Sequence, residues 1–152
     1  MVRHSHPDVP CTVPDVDTDE QQLVAQAGGG ALGARMGIVI TEATPERVVA
    51  TMPVEGNTQP YGLLHGGASC VLAETVGSVG AALHGMTIGR PYTVGVDINA
   101  THHKGVRAGT ITAVATPAHR GRTAATYDIV ITNEGGARVC TARLTCLLRD
   151  AG

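Results

Sequence analysis

The sequence predicts an α+β domain in which one antiparallel sheet wraps a single long helix. Three observations carry this. The order of elements is helix, two strands, long helix, four strands, without the βαβ alternation that builds a parallel sheet. In the last strand candidate, Cys140, Ala142, Leu144, Cys146 and Leu148 alternate with Thr141, Arg143 and Thr145, the period of two of a sheet with one buried face. The segment from Gly67 to Leu83 is small and apolar on most sides, with Glu74 its one charge, which marks a buried helix.

Residues 1–17 are polar and broken by Pro7, Pro10 and Pro14, and read as a loose arm before a single domain over 18–152. His4 and His6 in the arm are too few to close a metal site. Thr18-Asp-Glu-Gln21 resembles a capping box and starts a short helix to about Ala27, which Gly28-Gly-Gly30 ends. The triple glycine lacks the Lys-Ser/Thr of a phosphate loop. Arg35 to Glu42 and Arg47 to Val54 read as strands joined at Ala43–Glu46. A loop with Asn57, Pro60 and Gly62 leads into the long helix. Gly77 and Gly80 each cost the helix about 1 kcal/mol against Ala, a cost that close approach to a sheet or a second subunit offsets. Tyr92 to Ala100, Thr110 to Ala118, Thr123 to Thr132 and Arg138 to Leu148 are the remaining strands, the last two joined by a hairpin turn at Asn133-Glu-Gly-Gly136. A single sheet around one helix leaves its edge strands open. Pairing an edge with a second copy closes it, so a homodimer at least is expected, with sites at the subunit boundary.

Composition narrows the function. The 152 residues suffice for one domain with a real core, and 43% hydrophobic content argues against disorder. A formal net charge of -2 offers no basic surplus for nucleic acid. There is no Phe or Trp, so the core is built from Val, Ile, Leu and Ala. Cys11, Cys70, Cys140 and Cys146 form no C-x-x-C pair, and Cys140 and Cys146 are too far apart along one strand to bond each other. Met1 to Pro14 lacks an apolar signal region, and no apolar run is long and uninterrupted enough to span a membrane. A reduced, cytoplasmic protein is the expectation.

Glu74 is the only acid between Glu55 and Asp97. A carboxylate in an apolar helix is costly unless paired or solvated. The first N–H groups of a helix starting near Gly66 or Gly67 are unpaired and carry its positive dipole end, and glycine there admits a ligand to the backbone. Such an end stabilises a developing oxyanion. Ser78 lies one turn beyond Glu74 on the same face, and Gln59 and His65 sit on the feeding loop. An amide donor, an imidazole, an N–H trap, a carboxylate and a hydroxyl together suit attack of water or carboxylate on a carbonyl with loss of a good leaving group. Structural roles compete with this. Glu74 as a buried acid paired with Arg90 or Arg143, His65 as a helix cap, and Ser78 bonding its i−4 carbonyl are each sufficient taken singly.

The run Gln59-Pro-Tyr-Gly-Leu-Leu-His-Gly-Gly-Ala-Ser-Cys-Val-Leu-Ala-Glu-Thr-Val-Gly-Ser78 resembles the hotdog-fold acyl-CoA thioesterases. The nearest resemblance is to the 1,4-dihydroxy-2-naphthoyl-CoA branch, with 4-hydroxybenzoyl-CoA and phenylacetyl-CoA thioesterases related to it. Val94-Gly-Val-Asp-Ile-Asn-Ala-Thr-His102 and the Gly121-Arg122-Thr123 turn match as well, and the likeness runs from Arg35 to Leu148. It implies a sheet wrapped around one helix, assembled as a homodimer or as a dimer of dimers, a homotetramer. It implies that Gln59 and the Gly66 N–H polarise a thioester carbonyl. It makes Glu74 the nucleophile or the general base, with that choice open. Ser78 positions water, and His65 orients the site or assists the departing thiolate. His102, Lys104, Gly121, Arg122 and Thr123 fall where the family contacts the CoA nucleotide, and the charges of Lys104 and Arg122 suit phosphate. His119 and Arg120 either help there or are plain surface. The expected substrate is a small acyl-CoA, aryl-CoA above all, with no cofactor, metal, membrane or nucleic acid involved. The chain departs from the family in its few aromatic residues and its Pro-broken N-terminus. His102 and His103 are adjacent on a strand and so point to opposite faces, which argues against a shared metal.

Three other readings stand beside hydrolysis. A non-catalytic acyl-CoA sensor on this fold would lack the helix acid and carry a DNA-binding unit, which residues 1–34 do not supply. A hotdog enoyl-CoA hydratase would need an Asp–His pair that has no place here. A structural dimer module leaves the five-residue constellation unexplained.

Overall fold

The computed structural model describes residues 29–150. The arm, the capping box at Thr18 and the helix to Ala27 lie outside them. The elements are α1 (Gly30–Met36), β1 (Val39–Ala43), β2 (Val48–Pro53), α2 (Gly66–Thr87), β3 (Tyr92–His102), β4 (Thr110–Arg120), β5 (Ala124–Asn133) and β6 (Arg138–Arg149). The strands form one antiparallel sheet in the order β1-β2-β4-β5-β6-β3. With α2 packed across the sheet, this is the hotdog fold.

Two local expectations are corrected. Arg35 and Met36 are helical, not the start of β1. Gly37, at φ 71°, adopts the left-handed conformation that ends a helix, and the strand begins only at Val39. Gly29 is the N-cap of α1, and whether the glycines end a preceding helix lies outside the described residues. At 22 residues α2 is also long and apolar enough to cross a membrane by length and composition, contrary to expectation. Its apolarity is spent inside the protein. Leu72, Ala73, Val76, Val79, Ala81 and Leu83 are buried against the concave face of the sheet.

The two helix glycines are explained by contact. A Cβ on Gly80 would lie 2.6 Å from Cε1 of Tyr127, and one on Gly77 would lie 2.7 Å from Cδ2 of Leu144. The helix presses its smallest residues on β5 and β6. Tyr127, the largest fully buried side chain, is fixed from its far end, where its hydroxyl donates to the Pro45 carbonyl at 2.6 Å. Burial holds its phenol well above the usual tyrosine range. The Asn133–Gly136 hairpin forms as the sequence predicts, with Gly136 at φ 76° and the Asn133 side chain accepting from the Ala137 N–H at 2.9 Å.

The helix is not buried all round. Glu74 is exposed, and Cys70, Val71, Ser78 and Ala82 are half-buried along the same flank. β1 and β3 are the sheet edges. On β3 the apolar Tyr92, Val94 and Val96 are all more than half exposed. A bulge between Gly95 and Asp97 bends that edge.

Candidate active site

The loop entering α2 is held from several sides. The Asn57 side chain donates to the carbonyls of Met36 and Pro53 at 2.8 and 2.9 Å, and the Leu64 N–H donates to the Val106 carbonyl at 2.7 Å. Arg107 donates to the Tyr61 carbonyl at 3.0 Å. Within this loop the Gln59 side-chain oxygen accepts from the Tyr61 N–H. An N–H must meet an oxygen, so the amide orientation is fixed and the Gln59 NH2 group is left to donate elsewhere.

His65 is the N-cap of α2. Its Nδ1 accepts from the Gly67 N–H at 2.8 Å, and its carbonyl accepts from Ala68 and Ser69 at 3.0 and 3.3 Å. Of the first four helical N–H groups, only that of Gly66 has no acceptor among the described residues. A Cβ on Gly66 would lie 2.9 Å from His102 Nε2, so a larger residue there would displace the exposed His102 ring. His102 pairs with Cys140 across the ladder and faces the helix. His103 faces the other way and bonds the Thr141 hydroxyl at 2.9 Å. Gln59, Gly66, Ser69, His102 and Lys104 line one cavity of about 330 Å³. Ser69 was not singled out from sequence. Its place three residues after Gly66, on the same helix face, was the available signal.

Glu74 and Ser78 line a different cavity, of about 270 Å³, with Gly29, Leu32, Val71 and Thr75. Among the described residues the Glu74 carboxylate has no ion-pair partner: Arg90 binds Asp150 at 2.9 Å and Arg143 binds Asp128 at 2.7 Å. Burial pushes the Cys146 thiol up, an effect that the neighbouring Ser78 hydroxyl lowers only in part. Eight residues separate Gly66 from Glu74, about 12 Å along the helix axis, well beyond the reach of a glutamate side chain.

The residues expected at the nucleotide are divided likewise. His102 and Lys104 sit at the N-terminal end of α2. The Gly121–Thr123 turn between β4 and β5 sits at its far end, where His84 Nε2 meets the Gly121 carbonyl at 3.0 Å. His84 follows Gly66 by eighteen residues, about 27 Å along the helix. His119 packs against Gly121, and Arg120 is paired with Glu46. Among the described residues no group of three His, Cys, Asp or Glu side chains converges as a metal site. One chain thus carries two free N–H donors at one end of its helix, an exposed carboxylate in mid-helix, and the Arg122 turn at the other end.

A family model described as the thioesterase superfamily matches residues 61–140. The chain is 44% identical over 117 residues to a proofreading thioesterase, EntH, of Cronobacter sakazakii, covering 76% of this chain and 84% of the relative. It superposes on a thioesterase from Haemophilus influenzae with a TM-score of 0.75 at 35% identity, covering 86% of this chain and 90% of the other. A mutant thioesterase from Pseudomonas aeruginosa gives a TM-score of 0.79 at 36% identity, covering 89% and 97%.

Proposed function

The chain belongs to the thioesterase superfamily and is a thioester hydrolase, and from that premise we propose that it cleaves a small acyl-CoA, aryl-CoA above all, to the free acid and CoA. The observation that carries the reading is the pair of donors at the start of α2. The Gln59 NH2 and the unpaired Gly66 N–H share one cavity, and the helix dipole adds to both. A thioester carbonyl seated there gains most as its oxygen takes up negative charge, which lowers the barrier to attack.

Glu74 is the attacking group, as nucleophile or as the base that takes a proton from water. It stands too far along its own helix to reach a carbonyl held at Gly66. The partner's Glu74 fills the role when two copies pair through β3. An antiparallel β3 pairing runs the two helices in opposite directions. It carries one chain's mid-helix and far-helix groups toward the other's helix start, which also brings the partner's Arg122 near His102 and Lys104. The exposed Tyr92, Val94 and Val96 on β3, the exposed Glu74 and the two separated cavities all support this reading. Ser78 sits beside Glu74 to hold water. His65 shapes the helix start through its cap, with its exposed ring beside the leaving thiolate.

The test is hydrolysis of a panel of CoA thioesters, dihydroxynaphthoyl analogues, 4-hydroxybenzoyl, phenylacetyl and short and medium alkyl, followed by thioester absorbance, with wild type beside Glu74→Ala. Fast aryl turnover that falls about a thousandfold or more in the variant is the expected result. Intact turnover in Glu74→Ala would remove Glu74 from the chemistry. Tight binding across the panel without turnover would favour a sensor.

A further inference from the structure

We infer that His84 and Arg90 are positioning residues for the nucleotide end of the substrate, acting through the β4–β5 turn from inside the protein. The inference rests on the reading of that turn as a phosphate contact. His84 is a polar side chain only 8% exposed on the apolar face of α2. A leucine would suit its surroundings, and what it does that a leucine would not is meet the Gly121 carbonyl at 3.0 Å. Arg90 stands just past the helix. Its guanidinium donates to the Arg122 carbonyl at 3.2 Å and the Leu148 carbonyl at 3.4 Å, and is held from outside by Asp150 at 2.9 Å. The third carbonyl of the turn, Thr123, accepts from the Leu148 N–H at 2.9 Å.

All three carbonyls of Gly121, Arg122 and Thr123 are therefore drawn inward. The peptide N–H groups of Arg122 and Thr123 have no acceptor among the described residues, and both residues are exposed. Turning carbonyls in turns N–H groups out, and two successive outward N–H groups beside a guanidinium and a hydroxyl make an anion contact. The chain reversal that returns Arg90 under the turn is tight. The Arg90 N–H donates to the Gly85 carbonyl at 2.7 Å, and a Cβ on Gly85 would lie 2.3 Å from the Arg90 carbonyl oxygen. Gly85 is thus the one residue type that lets Arg90 reach its station.

The experiment compares KM and kcat for an acyl-CoA and for the same acyl group on N-acetylcysteamine, which lacks the nucleotide, in wild type, His84→Leu, His84→Gln and Arg122→Ala. His84→Leu is expected to raise KM for the CoA ester about three- to tenfold, the loss of one hydrogen bond, with kcat and both constants of the truncated ester unchanged. His84→Gln, whose amide nitrogen replaces Nε2 as donor, is expected to restore the wild-type KM. Equal effects on the two esters, no effect on either, or no rescue by Gln would overturn the inference. Arg122→Ala separates the two ways of failing. If it too leaves the ratio of the two KM values unchanged, the turn is not a nucleotide contact and the reading beneath the inference falls. If it changes that ratio and His84→Leu does not, the inward clamp alone falls. Should His84→Leu lose the folded circular-dichroism spectrum, Arg90→Met is read by the same criteria.

Discussion

A carboxylate oxygen of Glu74 lies 3.4 Å from the point where a side chain on Gly95 would begin. Gly95 belongs to the edge strand β3, beside its bulge, and Leu144 closes the space from behind at 3.7 Å. The edge is bare at the one point where the helix presents its acid. Gly95→Val fills that opening with two methyl groups and pushes the carboxylate aside. The expected result is a fall in kcat of about a hundredfold with the folded circular-dichroism spectrum kept, since a small displacement of a reacting group costs about that much. Wild-type kcat in Gly95→Val would show that the Glu74 position tolerates the displacement.

If Gln59 and Glu74 of one site come from different chains, two dead variants repair each other. Glu74→Ala and Gln59→Ala, each inactive alone, are mixed under conditions that exchange subunits. Half the dimers are then mixed and each mixed dimer has one intact site, so about a quarter of wild-type activity returns. A mixture as inactive as its parts would place both groups on the same chain.

Arg122→Ala removes a charge from the turn without touching the carbonyl site. KM for CoA esters is expected to rise about tenfold and kcat to hold, because an interaction made equally in ground and transition state appears in KM alone. The same rise with N-acetylcysteamine esters would take Arg122 out of nucleotide binding.

Gly80→Ala gains helix propensity yet is expected to destabilise by about 1–3 kcal/mol. The added methyl meets the Tyr127 ring at 2.6 Å, and that ring is fully buried and tethered to Pro45, so it has nowhere to retreat. Chemical denaturation measures this, and a stabilised variant would mean that the helix can lift off the sheet.

The stability of the fold is expected to decline in alkali. The Tyr127 phenol and the Cys140 and Cys146 thiols all have folded pKa values raised by burial, from ordinary values of 10.0, 9.0 and 9.0. A raised folded pKa means that the native state holds the proton more tightly. The stability is whole below pH 9 and is lost as pH climbs through 9 and 10 toward the folded values. Tyr127→Phe is expected to flatten this slope above pH 10, while costing about 1 kcal/mol at neutral pH through the unpartnered Pro45 carbonyl. An unchanged alkaline slope in the variant would exclude Tyr127 as a contributor.

Much of the fold was legible in the sequence because its signals are local and periodic. The alternation in β6, the Asn133–Gly136 turn and the apolar helix each declare themselves within a few residues. The ends of elements were less legible. Arg35 and Met36 stay helical up to the Gly37 cap, and β3 and β4 run on to His102 and Arg120. Those limits depend on partners distant in sequence. The residue types of the candidate site were also visible, but not their distribution. Spacing along a helix says which face a residue shares, and gives only the axial distance between its ends, so the gap between Gly66 and Glu74 becomes decisive only when the two cavities are seen. His84 was invisible for a different reason. Its partner is a backbone carbonyl 37 positions away, and no pattern of side chains announces it.

The unpaired flank of β3 has a kinetic meaning. On the proposed pairing, a lone chain carries every catalytic group and completes no site, so turnover belongs to the encounter of two chains. Specific activity then depends on how much protein is present, falling on dilution below the dissociation constant of the pair and recovering on concentration.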